Sequence, residues 1–132
     1  MTKFRKSRKG GDLGNRLESI TELFKQIEEE IERTSESGKI APSGCWIVRY
    51  QARGTGETYW YYKWQSHDPI FVTKNGKESC HKYIGKAGSP AFMEAVDRVM
   101  RRTKIEGLQQ SLHTLELALS DLVEEATRDR ER

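Results

Sequence analysis

The apolar positions of the chain follow three different rhythms. Between residues 12 and 37 they fall at Leu13, Leu17, Ile20, Phe24, Ile27 and Ile31, spaced alternately by four and three residues. This is the a/d rhythm of a heptad helix, in which one narrow stripe meets a partner. Asp12 is placed to cap the start, and Thr34, Ser35, Ser37 and Gly38 mark the end. Leu23 widens the stripe, and Glu29 with Arg33 supports the helix four residues apart. An isolated helix so rich in glutamate is marginal, so its seam must be buried against something.

Beyond a connector marked by Pro42 and Gly44, the rhythm changes to strict alternation. Trp46 to Arg53 puts Trp46, Val48, Tyr50 and Ala52 on one face and Ile47, Arg49, Gln51 and Arg53 on the other. Gly54-Thr55-Gly56-Glu57 reads as a hairpin turn, and Thr58 to Gln65 as the second strand. That strand carries Trp60, Tyr62 and Trp64 on one face and Tyr59, Tyr61, Lys63 and Gln65 on the other. The tryptophan face is expected to pack on a helix. The solvent face is then expected to carry Arg49, Arg53, Lys63 and two tyrosines. Ser66 to Pro69 breaks the strand, and Ile70 to Thr73 is a short extra strand or an anchored loop. Asn75-Gly76 is a strong hairpin signal, and Lys77 to Ile84 reads as the last strand.

The third rhythm begins after Gly85-Lys86-Ala87-Gly88. Ser89-Pro90 is a helix start, a serine cap followed by proline in the first turn. Phe92, Val96, Val99 and Met100 give a first apolar face. Ile105, Leu108, Leu112, Leu115, Leu119, Leu122 and Ala126 then form a second heptad seam. The phase slips between Thr103 and Ile105 and Gly107 follows, which predicts a local adjustment or bend there.

These patterns predict an α+β protein: a small antiparallel sheet of three to four strands, flanked by an N-terminal helix and a long C-terminal helix with coiled-coil heptads. Its parts are a basic, disordered tail over 1–11, a coiled-coil helix over 12–37, a sheet-plus-helix module over 45–106 and a coiled-coil segment over 105–127. The seam residues Leu17, Ile20, Phe24, Ile27, Ile31, Leu108, Leu112, Leu115, Leu119 and Leu122 are expected to form a homodimer interface. The same seams are equally able to pair within one chain.

Composition fits helices around a modest core. Of the 132 residues, 35% are hydrophobic and 33% charged, and a heptad seam buries only about two positions in seven. The net charge of +3 is unevenly spread. Lys3, Arg5, Lys6, Arg8 and Lys9 face no acid within the first 11 residues, whereas the span 12–38 is acidic and the span 39–90 basic. Positive charge on the tail and the sheet suggests a polyanionic partner. Cys45 and Cys80 make no disulfide framework, and no apolar run has the length of a membrane span. A cytoplasmic protein with reduced thiols and no membrane partner is expected.

No catalytic signature is present. Cys45, His67, Cys80 and His81 have no metal-site spacing, so no metal and no other cofactor is expected. Gly54-Thr55-Gly56 joins two strands and opens no helix, unlike a phosphate loop. Binding chemistry is better represented. A twisted antiparallel sheet can lay one face in the DNA major groove, with arginine or lysine at alternate strand positions. Arg49, Arg53 and Lys63 are candidates for that role, and Lys74, Lys77, Lys82 and Lys86 for phosphate contacts. Tyr59 and Tyr61 are candidates for stacking on bases where the partner is single-stranded.

The run Tyr-Trp-Tyr-Tyr-Lys-Trp at 59–64, the segment His-Lys-Tyr-Ile-Gly-Lys at 81–86 and a following helix resemble the arm-type DNA-binding domain of tyrosine integrases. Most of the chain also resembles small helix–sheet–helix proteins of bacterial mobile elements. The segment around His67 to Gly76 is an insertion relative to both. The resemblance implies DNA binding without catalysis, as in a transcriptional or mobile-element accessory factor. The rival expectation is a coiled-coil adaptor that captures a protein partner through its helices.

Overall fold

The structure is a computed structural model and describes residues 9–54 and 56–131. Helix α1 spans Lys9–Glu36. Five strands follow: β1 Cys45–Arg53, β2 Thr58–Ser66, β3 Phe71–Val72, β4 Glu78–Ser79 and β5 His81–Gly85. Helix α2, Pro90–Glu131, closes the chain. The α+β architecture predicted from the sequence is therefore the observed one. The described chain divides into two units, one of α1 with α2 from Ile105 onward, the other of residues 35–104.

In the helical unit the seam positions are the sheltered ones. Leu13, Ile20, Phe24, Ile27 and Ile31 in α1 are half-buried, as are Ile105, Leu108, Leu112, Leu115, Leu119 and Ala126 in α2, and Leu122 is buried. Leu17, predicted in the seam, remains exposed. Arg16 is hydrogen-bonded and ion-paired to Glu125, which sets the start of α1 beside the end of α2 in antiparallel sense. The helix starts earlier than the Asp12 cap predicted. Asp12 lies inside the first turns, where its carboxylate meets Arg16 at 3.0 Å, one helical turn on. Lys9 to Gly11, predicted as tail, are helical, and the remainder of that tail, residues 1–8, lies outside the described residues.

In the sheet unit, β1, β2 and β5 form one antiparallel sheet in that order, while β3 and β4 form a separate two-stranded sheet. The predicted last strand is thus two strands. Its first residues turn back on β3 across the Asn75-Gly76 hairpin, where Gly76 has φ 76° and its N–H donates to Thr73 O at 2.9 Å. After Cys80, whose carbonyl accepts from the Ser66 N–H at 2.9 Å, the chain joins β2 as β5. The segment from His67 to Gly76 therefore supplies the first strand and the turn of a small hairpin that β4 completes.

The start of α2 covers one face of the sheet. Ala95 is buried with Ala41, Cys45, Trp64 and Ile84, and Phe92 and Val99 pack against them. Phe92 meets the Tyr62 ring at 4.6 Å. Ser89 caps the helix as the Ser-Pro pair predicts: its Oγ accepts from the Phe92 N–H at 3.3 Å. Gly107 does not interrupt the helix, and α2 is helical from end to end. Arg102, one turn beyond Val99, carries the spacing across the phase slip. Its guanidinium donates to Pro42 O and to Cys45 Sγ at 3.5 Å, and Arg101 donates to Lys39 O at 2.8 Å. Together with the Ala41 N–H bond to Arg98 O at 3.2 Å, these bonds strap the connector to α2.

Candidate nucleic-acid interface

The register of β1 on β2 decides what each face of the sheet presents. Arg53 pairs with Thr58, Gln51 with Trp60, Arg49 with Tyr62 and Ile47 with Trp64. Directly paired residues point to the same side, so Arg49 and Arg53 share a face with Trp60 and Trp64 of β2. That is the face α2 covers. The expected solvent face carrying Arg49, Arg53, Lys63 and two tyrosines together does not form. The opposite, open face holds Trp46, Val48, Tyr50 and Ala52 from β1 beside Tyr59, Tyr61, Lys63 and Gln65 from β2. From β5 it gains His81, paired with Gln65, and Tyr83, paired with Lys63.

The physical reason is the turn. Four residues, Gly54 to Glu57, separate the paired residues Arg53 and Thr58, and the Gly54 N–H donates to Glu57 O at 2.8 Å. A shift of one residue in that register would exchange the two faces of β1.

On the open face the tyrosines form a connected group. Tyr61 lies at its centre, with ring centroids 6.1 Å from Tyr50, 6.5 Å from Tyr59 and 6.0 Å from Tyr83. The rings are tilted by 35° to 57°, between stacked and edge-to-face arrangements. Lysines lie over them. The Lys63 ammonium is 5.0 Å from the Tyr50 centroid, and that of Lys86, just after β5, is 5.5 Å from Tyr59 and 6.0 Å from Tyr61. These distances suit cation–π attraction. No strand position on this face is acidic. Further along, Trp46 meets the His67 ring at 4.8 Å.

Two phenols titrate above the ordinary tyrosine range. For Tyr59 the first cause is its hydroxyl's 2.7 Å hydrogen bond to the Glu57 carboxylate, which favours the protonated phenol. For Tyr50 it is burial, with Tyr83 and Tyr61 close by.

The other candidates are scattered. Arg49 and Arg53 are exposed near the hairpin end, on the helix-side face. Arg49 lies 3.5 Å over the Trp60 ring. Lys82 pairs with Trp64 on that same face and lines a shallow groove with Glu94 and Arg98. Lys74 and Lys77 sit on the β3–β4 hairpin, exposed. Tyr59, Tyr61, Lys63 and Lys86 are therefore the predicted residues that come together. Tyr50 and Tyr83 belong to the same group although sequence reasoning did not place them there. The even length of the hairpin turn is the signal that assigns Tyr50 to this face.

Among the described residues, no three histidine, cysteine or acidic side chains stand together as a metal site. No helix among them is long and apolar enough to cross a membrane. Comparison of the chain with protein families, with curated proteins and with solved structures finds no match.

Proposed function

We propose that the chain is a non-enzymatic DNA-binding protein that engages its partner through the open face of the β1–β2–β5 sheet. The observation that carries this reading is the tyrosine group on a face whose strand positions hold no acid, with Lys63 and Lys86 lying over it. Aromatic rings offer stacking surfaces, and flexible ammonium groups neutralise phosphate and release counterions. The likeness to arm-type domains of integrases points the same way, with a transcriptional or mobile-element role. Arg49 and Arg53 support the reading less than their spacing suggested, because they face the helix side.

The test is a fluorescence-anisotropy titration of labelled DNA with the full chain at two salt concentrations. Binding that weakens with salt, and weakens further in the double variant Lys63→Ala, Lys86→Ala, supports the reading. Absence of binding at low salt overturns it.

A second reading, an adaptor acting through its helices, draws on apolar side chains that the helical unit leaves exposed: Leu17, Leu23, Leu117 and Val123. Partner capture that is lost in the variant Leu117→Asp, Val123→Asp, with DNA binding intact, supports it.

A further inference from the structure

We infer that the open face is selective for single-stranded DNA, with unpaired bases stacking on Tyr59, Tyr61 and Tyr83. This inference rests on the DNA-binding reading above and names the form of DNA that the face takes.

The first argument is what the face displays. Tyr83 is 60% exposed and Tyr59 37% exposed, so ring surface is turned outward. A duplex keeps its base faces stacked and shows only base edges and backbone in its grooves. Ring surface is therefore of use only to a base that has left the stack. Edge reading instead uses arginine, lysine, asparagine or glutamine aimed into the groove. On the strand positions of the open face only Lys63 and Gln65 are of these types, Lys63 lies over the Tyr50 ring, and both arginines of β1 lie on the opposite side.

The second argument is spacing. The Tyr61 centroid lies 6.5 Å from that of Tyr59 on the same strand and 6.0 Å from that of Tyr83 on β5. Stacked bases advance by about 3.4 Å per nucleotide. Adjacent rings thus match an extended strand whose bases are parted from each other, each finding a ring instead of a neighbouring base.

The third argument is charge. Lys86 reaches over Tyr59 and Tyr61 and Lys63 over Tyr50, so ammonium groups border the same row. A strand laid along the row has its phosphates beside them. The strand positions of the face hold no carboxylate to take a ribose 2′-hydroxyl, and the Tyr59 hydroxyl is already bonded to Glu57. The choice of DNA over RNA rests on the DNA-binding reading above.

The experiment compares three labelled probes of one mixed sequence and about a dozen nucleotides, within the range of single-strand site sizes: a DNA strand, its duplex and the RNA strand. Each is titrated with the full chain at low salt. The DNA strand is expected to bind at least tenfold tighter than the duplex. Tyr61→Ala is expected to weaken strand binding roughly tenfold, as for one lost base stack, while Tyr61→Phe retains it. Tyr83→Ala, at an exposed position on the edge strand, gives the same readout without a demand on the core. Duplex bound as tightly as the strand overturns this inference and leaves the DNA-binding reading in place. RNA bound more tightly than DNA overturns the choice of DNA. A chain that binds none of the probes overturns both.

Discussion

The guanidinium of Arg49 lies 3.5 Å above the ring of Trp60, on the side of the sheet away from Lys63. The pair covers part of a tryptophan that remains 44% exposed and occupies an arginine that alternation alone would assign to the binding face. Its role is therefore partly structural. Arg49→Ala is expected to lower stability by about 0.5–1 kcal/mol, the value of a cation–π pair at an exposed site. It is expected to change DNA affinity less than Lys63→Ala does. Chemical denaturation and anisotropy on both variants check the two halves of this expectation.

The Arg49 position also marks where the sequence stops being informative. Alternation assigned each strand two faces correctly, but it is indifferent to which face of β1 joins which face of β2. Only the pairing of Arg53 with Thr58 across a four-residue turn resolves that. The helix seams were legible because seven-residue rhythm persists over several turns. The two-residue strands β3 and β4 were not separable from β5, because two residues hold no alternation. Arg101 and Arg102 both donate to carbonyls of the connector, a long-range pairing with no local signature in the sequence.

Those arginine bonds predict a second outcome. Arg102 donates to Pro42 O and Cys45 Sγ beside the buried cluster, where Cys45 is 2% exposed. Arg102→Ala leaves those acceptors without this donor. A hydrogen bond to a charged group contributes about 1.5–3 kcal/mol, and a loss of that order is expected in thermal unfolding. Arg102→Lys is expected to recover part of it, because a single ammonium reaches fewer acceptors in fixed geometry.

The start of α2 positions the covered face of the sheet, so its cap has a measurable share. Ser89 Oγ accepts from the Phe92 N–H, and the same hydroxyl donates to Lys86 O at 2.7 Å. Ser89→Ala removes both bonds and is expected to cost about 1 kcal/mol. Ser89→Asp, which keeps an acceptor and complements the helix dipole, is expected to cost less. Denaturant midpoints order the three proteins.

The Tyr59 phenol tests the local electrostatics of the open face. Its hydrogen bond to Glu57 holds the proton on, so the phenol ionises above the usual tyrosine range. The folded state then keeps that proton at pH values where the unfolded chain releases it. The associated stability is complete below the unfolded phenol's pKa and is lost as pH rises through the folded value. Glu57→Gln is expected to bring Tyr59 back toward the ordinary range. Ultraviolet titration of the phenolate, with Tyr59→Phe identifying its component, reads the shift directly.

The pairing of Arg16 with Glu125 gives the last prediction, on whether the heptad seams close within one chain. The ion pair itself is solvent-exposed and is expected to contribute little, under about 1 kcal/mol. Its value is as a ruler. In a background of Cys45→Ala and Cys80→Ser, cysteines at positions 16 and 125 are within reach of a short bismaleimide only if α1 and α2 lie side by side in antiparallel sense. Cross-linked product at the monomer mass, independent of protein concentration, is the expected result. Product at twice that mass, growing with concentration, would mean that the seam joins two copies. The half-buried row from Ile105 to Leu119 would then serve as the homodimer interface that the heptad spacing also allows.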